Sequence, residues 1–262
     1  MKKAGMIAGV VVLLLVAALA FLLWPRGTTE ISPGQAVDQY RNRQGSTTTT
    51  RKEADGFTTT PSAGVYTFTA TGEETAKVGP FPAQTHKVPA SVTGVVVDSG
   101  DGCFTFSVNF YAEHTEETRY CVEGRALRLA HYTKRQTVGA ITATVSMECD
   151  PNVIRSGTNP GSTPLDCTLT VSGGPFSVET KLSGTSTTKA KEPLTIGSDQ
   201  VEVLPTETVL NASGKVTGAW TDRIWWSPDN LPVRMVREFH MQGATTFDEN
   251  PTLTLTSLTP SS

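Results

Sequence analysis

From Ala63 to the C-terminus, apolar and polar residues alternate in short segments punctuated by Gly, Pro, Asp and Asn, a pattern that restricts this region to strands. Thirteen such segments can be read, beginning with Val65–Thr71, Val88–Asp98 and Cys103–Phe110 and ending with Val216–Trp226, Val233–Met241 and Thr252–Leu258. In Val233–Met241, for example, Val233, Met235, Phe239 and Met241 alternate with Arg234, Glu238 and His240. The connections carry turn chemistry, as in Asp98-Ser99-Gly100-Asp101-Gly102 and Ser227-Pro228-Asp229-Asn230. Composition agrees, because the 41 Thr residues are β-branched and favour the pleated backbone. Short turns between successive strands exclude parallel crossovers, which need a dozen or more residues. The expected fold over 63–262 is therefore an extracytoplasmic antiparallel meander. Accumulated twist should curl it into a half-barrel or open barrel.

The compartment follows from the N-terminus. Ala4–Trp24 is a run of 21 residues without a charge, long enough as a helix to cross the hydrocarbon layer. Lys2 and Lys3 precede it, so residues 1–3 are expected in the cytoplasm and 4–24 as a transmembrane helix in the plasma membrane. A cleaved signal peptide ending near Ala18-Leu19-Ala20 is the competing reading, but Phe21-Leu22-Leu23-Trp24 continues the apolar run past that point. Residues 25–62 read as a Thr/Pro-rich solvated linker with too few large apolar side chains to bury anything. Within it a short helix over 33–43 is expected, with Ser32 as cap, Pro33 in the first turn and Ala36, Val37 and Tyr40 as its apolar side.

Export makes the four cysteines disulfide candidates. Cys103, Cys121, Cys149 and Cys167 allow three pairings, and cross-strand register selects one of them. If the segment near Tyr111–Glu117 turns, Cys103 faces Cys121 and Phe104 faces Tyr120. A turn in Ser156–Gly161 sets Val145 opposite Val171, Met147 opposite Leu169 and Cys149 opposite Cys167. No CxxC or Cys/His cluster suggests zinc, and no cofactor motif occurs.

Signals for catalysis are thin. His86, His114, His131 and His240 share no metal-ligand spacing, and HExxH and GxSxG are absent. Ser186-Thr187-Thr188-Lys189 matches SxxK only formally, and neighbours such as Glu73 and Glu74 point to opposite faces of a strand. The first 26 residues hold three basic residues and no acid, leaving 19 Lys/Arg against 25 Asp/Glu, a net −6 that argues against nucleic acid as a partner. The more informative feature is the set Phe104, Phe106, Phe110, Trp220, Trp225, Met235, Phe239 and Met241 on expected strands. These residues build either an ordinary β core or the lining of an apolar pocket on a concave face.

Two stretches carry a resemblance. Gly64-Val65-Tyr66-Thr67-Phe68-Thr69-Ala70-Thr71-Gly72-Glu73, following a Pro/Thr-rich spacer, and Trp225-Trp226-Ser227-Pro228-Asp229-Asn230-Leu231-Pro232-Val233-Arg234 resemble single-pass envelope proteins of actinobacteria. The second stretch is also similar to the curved-sheet domains of lipoprotein carriers of the LolA/LolB kind. That resemblance implies a half-barrel with a hydrophobic concave face. The expected function is non-enzymatic binding of a hydrophobic ligand, a lipid or an envelope partner protein. A cell-envelope hydrolase or wall-modifying enzyme, or a passive structural subunit of an envelope complex, is the alternative.

Overall fold

The computed structural model describes residues 28–44, 56–78, 82–138, 141–173, 176–243 and 245–261. The described chain forms one helix, α1 (Pro33–Gln44), and seventeen strands. The first nine are β1 (Gly64–Thr71), β2 (Glu73–Val78), β3 (Gln84–Lys87), β4 (Ser91–Gly100), β5 (Cys103–Tyr111), β6 (His114–Glu123), β7 (Ala126–Val138), β8 (Ile141–Cys149) and β9 (Val153–Arg155). They are followed by β10 (Gly161–Gly173), β11 (Phe176–Thr188), β12 (Glu192–Ile196), β13 (Asp199–Ser213), β14 (Thr217–Trp226), β15 (Pro232–Gln242), β16 (Thr245–Glu249) and β17 (Thr252–Leu255).

Twelve of these strands pair antiparallel in a ring that runs β1, β4, β5, β6, β7, β8, β10, β11, β13, β14, β15 and β17. The ring is completed through β11, β13, β14 and β15 and closed where β17 returns to β1, from Phe68↔Leu255 to Thr71↔Thr252. The expected half-barrel or open barrel is thus corrected to a closed barrel. An open sheet of twelve twisted strands would leave two long unpaired edges, and pairing the first strand with the last removes both. The expected transmembrane helix, 4–24, lies outside the described residues. Among these, no helix is long and apolar enough to cross a membrane.

All twelve ring strands lie on segments with a sequence signal, whereas β2, β3, β9 and β16 had none. β2, β3 and β16 branch from the ring: β15 pairs with β17 through Arg234–Val236 and with β16 through Phe239–Gln242, after which β16 pairs with β2 and β2 with β3. Leu194–Val203, read as one strand, is instead the β12–β13 hairpin, reversed at Gly197 with φ of 59°.

α1 forms as expected, with a reciprocal cap in which the Gln35 amide donates to Ser32 Oγ (3.3 Å) and the Ser32 amide donates to Gln35 Oε1 (2.9 Å). It buries Ala36 and Tyr40 against Val65 and Val95 on the outside of the wall. It therefore buttresses β1 and β4 and leaves the barrel interior to side chains from the strands.

An eight-stranded barrel is just filled by ordinary side chains, so a twelve-stranded one needs larger ones. Here opposite walls meet through aromatic rings. β6 and β14 face one another across the ring, and Tyr120 packs edge-on against Trp226 with centroids 5.2 Å apart. Tyr132 of β7 meets Trp220 at 5.0 Å, and Trp220 meets Phe239 at 5.2 Å. Gly94 of β4 is fixed by the same crowding, since a Cβ there would lie 2.7 Å from the Phe68 ring and 2.9 Å from Phe106. Outside, hydroxyls pair across strands, as in Thr137 with Thr142 and Ser162 with Thr187, each at 2.9 Å. Val178 is the single large apolar side chain standing exposed among the described residues.

The disulfides take the register read from the sequence. Cys103↔Cys121 with Phe104↔Tyr120, and Cys149↔Cys167 with Met147↔Leu169 and Val145↔Val171, are direct Cα partners, and both cysteine pairs are bonded. A bridge closing a loop of this length contributes about 3 kcal/mol in the chain-entropy model.

Candidate functional site

The chemistry of the described barrel is concentrated at the end where β2 and β16 fold in. Glu74 of β2 and Glu249 of β16 are direct cross-strand partners, so two like charges sit side by side and require cations. Those cations come from the ring. His114 Nδ1 lies 2.7 Å from Glu74 Oε2, and its Nε2 lies 3.0 Å from Glu116 Oε1. Lys134 Nζ donates to Glu249 Oε2 at 2.6 Å, with the Phe247 ring 4.2 Å away. Arg237 Nη1 donates to both oxygens of Glu116 (2.8 and 2.6 Å) and to Glu249 Oε1 (3.2 Å), while its Nε and Nη2 hold Asp222 (2.7 and 3.3 Å). The Arg237 guanidinium also stacks 4.9 Å from the Trp220 ring centroid.

Strand alternation delivers these groups. On β6, His114 and Glu116 share the inward face with Thr118 and Tyr120. On β15, Arg237 is in phase with Met235 and Phe239. Burial alone would raise the Glu116 carboxyl. Arg237, the hydrogen bond to His114 and Lys134 outweigh it and hold the group far below the usual carboxylate range. Glu74 follows the same logic, burial being outweighed by His114 and Lys134, and is lowered. Burial and Lys134 act to lower His114, but its bonds to Glu116 and Glu74 prevail and raise it, so the imidazole is held protonated, donating from both nitrogens. Four carboxylates (Glu74, Glu116, Asp222, Glu249) then face three cations (His114, Lys134, Arg237).

Ligand atoms of Glu74, His114 and Glu249 lie within 4.8 Å of one another, close enough to share a metal ion. The donor set does not suit one. Both His114 nitrogens are engaged by carboxylates, and the Lys134 ammonium already occupies the cation position beside Glu249. Among the described residues no hydroxyl or thiol is hydrogen-bonded to His114, whose ring nitrogens are taken by Glu74 and Glu116. As arranged, the cluster holds charge in place and stores a proton.

Next to it lies a cavity of about 70 Å³ inside the barrel, with Glu116, Asp222 and Arg237 on one side and mostly apolar side chains around the rest. Of the residues expected to line a pocket, Phe106, Trp220 and Met235 border this cavity. Phe104 packs instead on Tyr120 (5.5 Å), Phe110 stacks on His114 (4.6 Å), and Phe239 lies between Trp220 and Phe247. Met241 is buried in the main core, whereas the Trp225 indole donates to Glu192 at 2.6 Å and carries Arg234 over its ring.

Sequence reasoning left His114 among isolated histidines and placed Glu116 in a turn. The register that pairs Cys103 with Cys121 already carried the missing signal, because continued along the hairpin it sets Glu116 opposite Val108, on the core face. Arg237 pairs with Asp222, its direct cross-strand partner on β14. His131 and His240 lie half-exposed beside Glu148 and Asp248. Compared with protein-family models, curated proteins and solved structures, the chain matches none of them.

Proposed function

We propose that the protein is a non-catalytic binding module in an oxidising extracytoplasmic space, where a rigid barrel presents its outer wall to an envelope partner protein at the plasma membrane. Two disulfides support the compartment, as does the apolar run Ala4–Trp24 that precedes the barrel. The observation that carries the reading is the contact between opposite walls: Tyr120 with Trp226, Tyr132 with Trp220, and Glu116 with Arg237 commit the interior to structure. The cavity of about 70 Å³ among the described residues Phe106, Trp220 and Met235 is smaller than the roughly 150 Å³ that admits a benzene molecule, so it gives an acyl chain no room. These wall contacts support recognition of a partner protein on the outside. The test is site-specific photo-crosslinking in cells from Asp166, Lys181 and Glu238, which are exposed. A discrete adduct with one partner protein from at least one of these positions is expected. Absence of adducts from all three, together with a stoichiometric small molecule held among Phe106, Trp220 and Met235 in native mass spectrometry, contradicts the reading.

A further inference from the structure

Residues 56–61, part of the expected solvated linker, run across the other end of the barrel, and Phe57 inserts its ring into the main core with 1% exposure. Phe57 adopts φ of 70°, a region that side-chain-bearing residues seldom occupy. Lys191 Nζ, which is paired with Glu202, lies 5.4 Å from the ring centroid. The Phe57 amide donates to the Pro228 carbonyl at 2.7 Å, and Asn230 Nδ2 donates to the carbonyls of Phe57 (3.2 Å) and Thr59 (2.8 Å).

Beneath the ring lies Arg155, fully buried at 0% exposure, with its guanidinium carbon 5.3 Å from the Phe57 centroid. Arg155 Nη2 donates to Asn230 Oδ1 at 2.6 Å and Nε to the Arg125 carbonyl at 3.4 Å, while Nη1 is buried and has no hydrogen-bond partner. Among the described residues no carboxylate pairs with Arg155, whereas Arg237 holds three. Burial without a counter-charge lowers the Arg155 guanidinium to about 10. Buried charges are ordinarily paired, and an unsatisfied buried donor calls for a missing partner. A ring-sized volume occupied by a residue in an unfavourable backbone conformation, above one uncompensated positive charge, has the shape and charge of a site for a monoanion with an apolar body.

We propose that the space filled by Phe57 is a binding site for an apolar carboxylate of aryl or short-acyl size, that Phe57 is its built-in occupant, and that Arg155 is the residue that pairs with the ligand's carboxylate. The ligand would displace the ring, and its carboxylate would supply the acceptor that Arg155 Nη1 lacks. Neither Phe57 nor Arg155 lines the central cavity, and the proposal stands independently of the partner-binding reading.

The test uses 3-phenylpropionate and its uncharged isostere 3-phenylpropanamide against the full chain, by titration calorimetry. Removing the occupant with Phe57→Ala is expected to tighten binding of the acid at least tenfold over wild type. The acid should also bind this variant at least tenfold tighter than the amide does, and adding Arg155→Met should erase that preference. Equal binding of acid and amide to Phe57→Ala, or no binding of the acid to a variant that still unfolds cooperatively, overturns the proposal. If Phe57→Ala does not fold, hydrogen exchange of the wild-type Phe57 amide decides. Faster exchange with saturating acid than with amide supports displacement of the ring, and unchanged exchange overturns it.

Discussion

The two ends of the barrel are closed by different physics. Where β2 and β16 fold in, closure is ionic: Arg237 bridges Glu116, Asp222 and Glu249, Lys134 meets Glu249, and His114 joins Glu74 to Glu116. At the opposite end closure is covalent and aromatic. Both disulfides lie toward it, and Phe57 plugs it above Arg155, a cation with no ion-pair partner among the described residues. Removing one member of a complete ionic network strands buried charges, whereas removing Arg155 strands no charge, only the neutral acceptors Asn230 Oδ1 and the Arg125 carbonyl.

The largest effect should therefore come from Arg237→Met, which leaves the buried Glu116 and the partly buried Asp222 without their main counter-charge. A loss of about 3–5 kcal/mol in urea unfolding is expected, and a loss below about 1 kcal/mol would break the comparison. Next comes replacement of a bridge. Cys149→Ser with Cys167→Ser should cost about 3 kcal/mol by the chain-entropy model. Hydrogen exchange should then accelerate around β9 and residues 56–61 while β2 and β16 stay protected. Uniform acceleration would show that the two ends are not separable.

A smaller, pH-dependent effect should belong to the ionic end alone. The His114 pKa is raised in the folded state, so the proton binds more tightly there than in the unfolded chain. Its contribution is complete below the unfolded value of about 6.5 and is lost as pH rises through the folded value. Glu74 and Glu116 are lowered, so their contributions hold above about 4.5 and fade as pH falls through their folded values. Stability should be greatest between these limits, and His114→Gln should flatten the alkaline limb. An unchanged limb in that variant would exclude His114 as its source. The smallest effect is expected from Arg155→Met. It removes an uncompensated buried charge, which offsets the loss of the hydrogen bond to Asn230 Oδ1, and should change the unfolding free energy by about 1 kcal/mol or less.

What the sequence made legible followed how local the information is. Hairpin register is written in alternation and turn residues, so both disulfides and the face-sharing of Met147 with Leu169 are legible in the sequence. The Ser32 cap and the Ala36/Tyr40 stripe likewise sufficed for α1. Closure could not be read, because Phe68 and Leu255 pair across most of the chain and their neighbourhoods carry no mutual signal. The ionic cluster was missed for a related reason. His114 and Glu116 resemble turn residues until Glu74, Glu249 and Arg237 arrive from strands far away in sequence. Phe57 was overlooked because a single aromatic residue among threonines has no periodicity to reveal the core it enters.

Closure by the first and last strands is the claim on which the wall contacts, the ionic end and the plugged end all depend. Thr69 and Thr254 are direct Cα partners across that seam, and Thr69 Oγ1 donates to the Thr254 carbonyl at 3.3 Å. The direct measurement is peptide mapping of a Thr69→Cys/Thr254→Cys double variant after mild oxidation. A closed barrel requires a near-quantitative disulfide between positions 69 and 254 with the two native bridges retained. Free thiols at both positions in a folded protein would mean that β1 and β17 are open edges and would contradict the account.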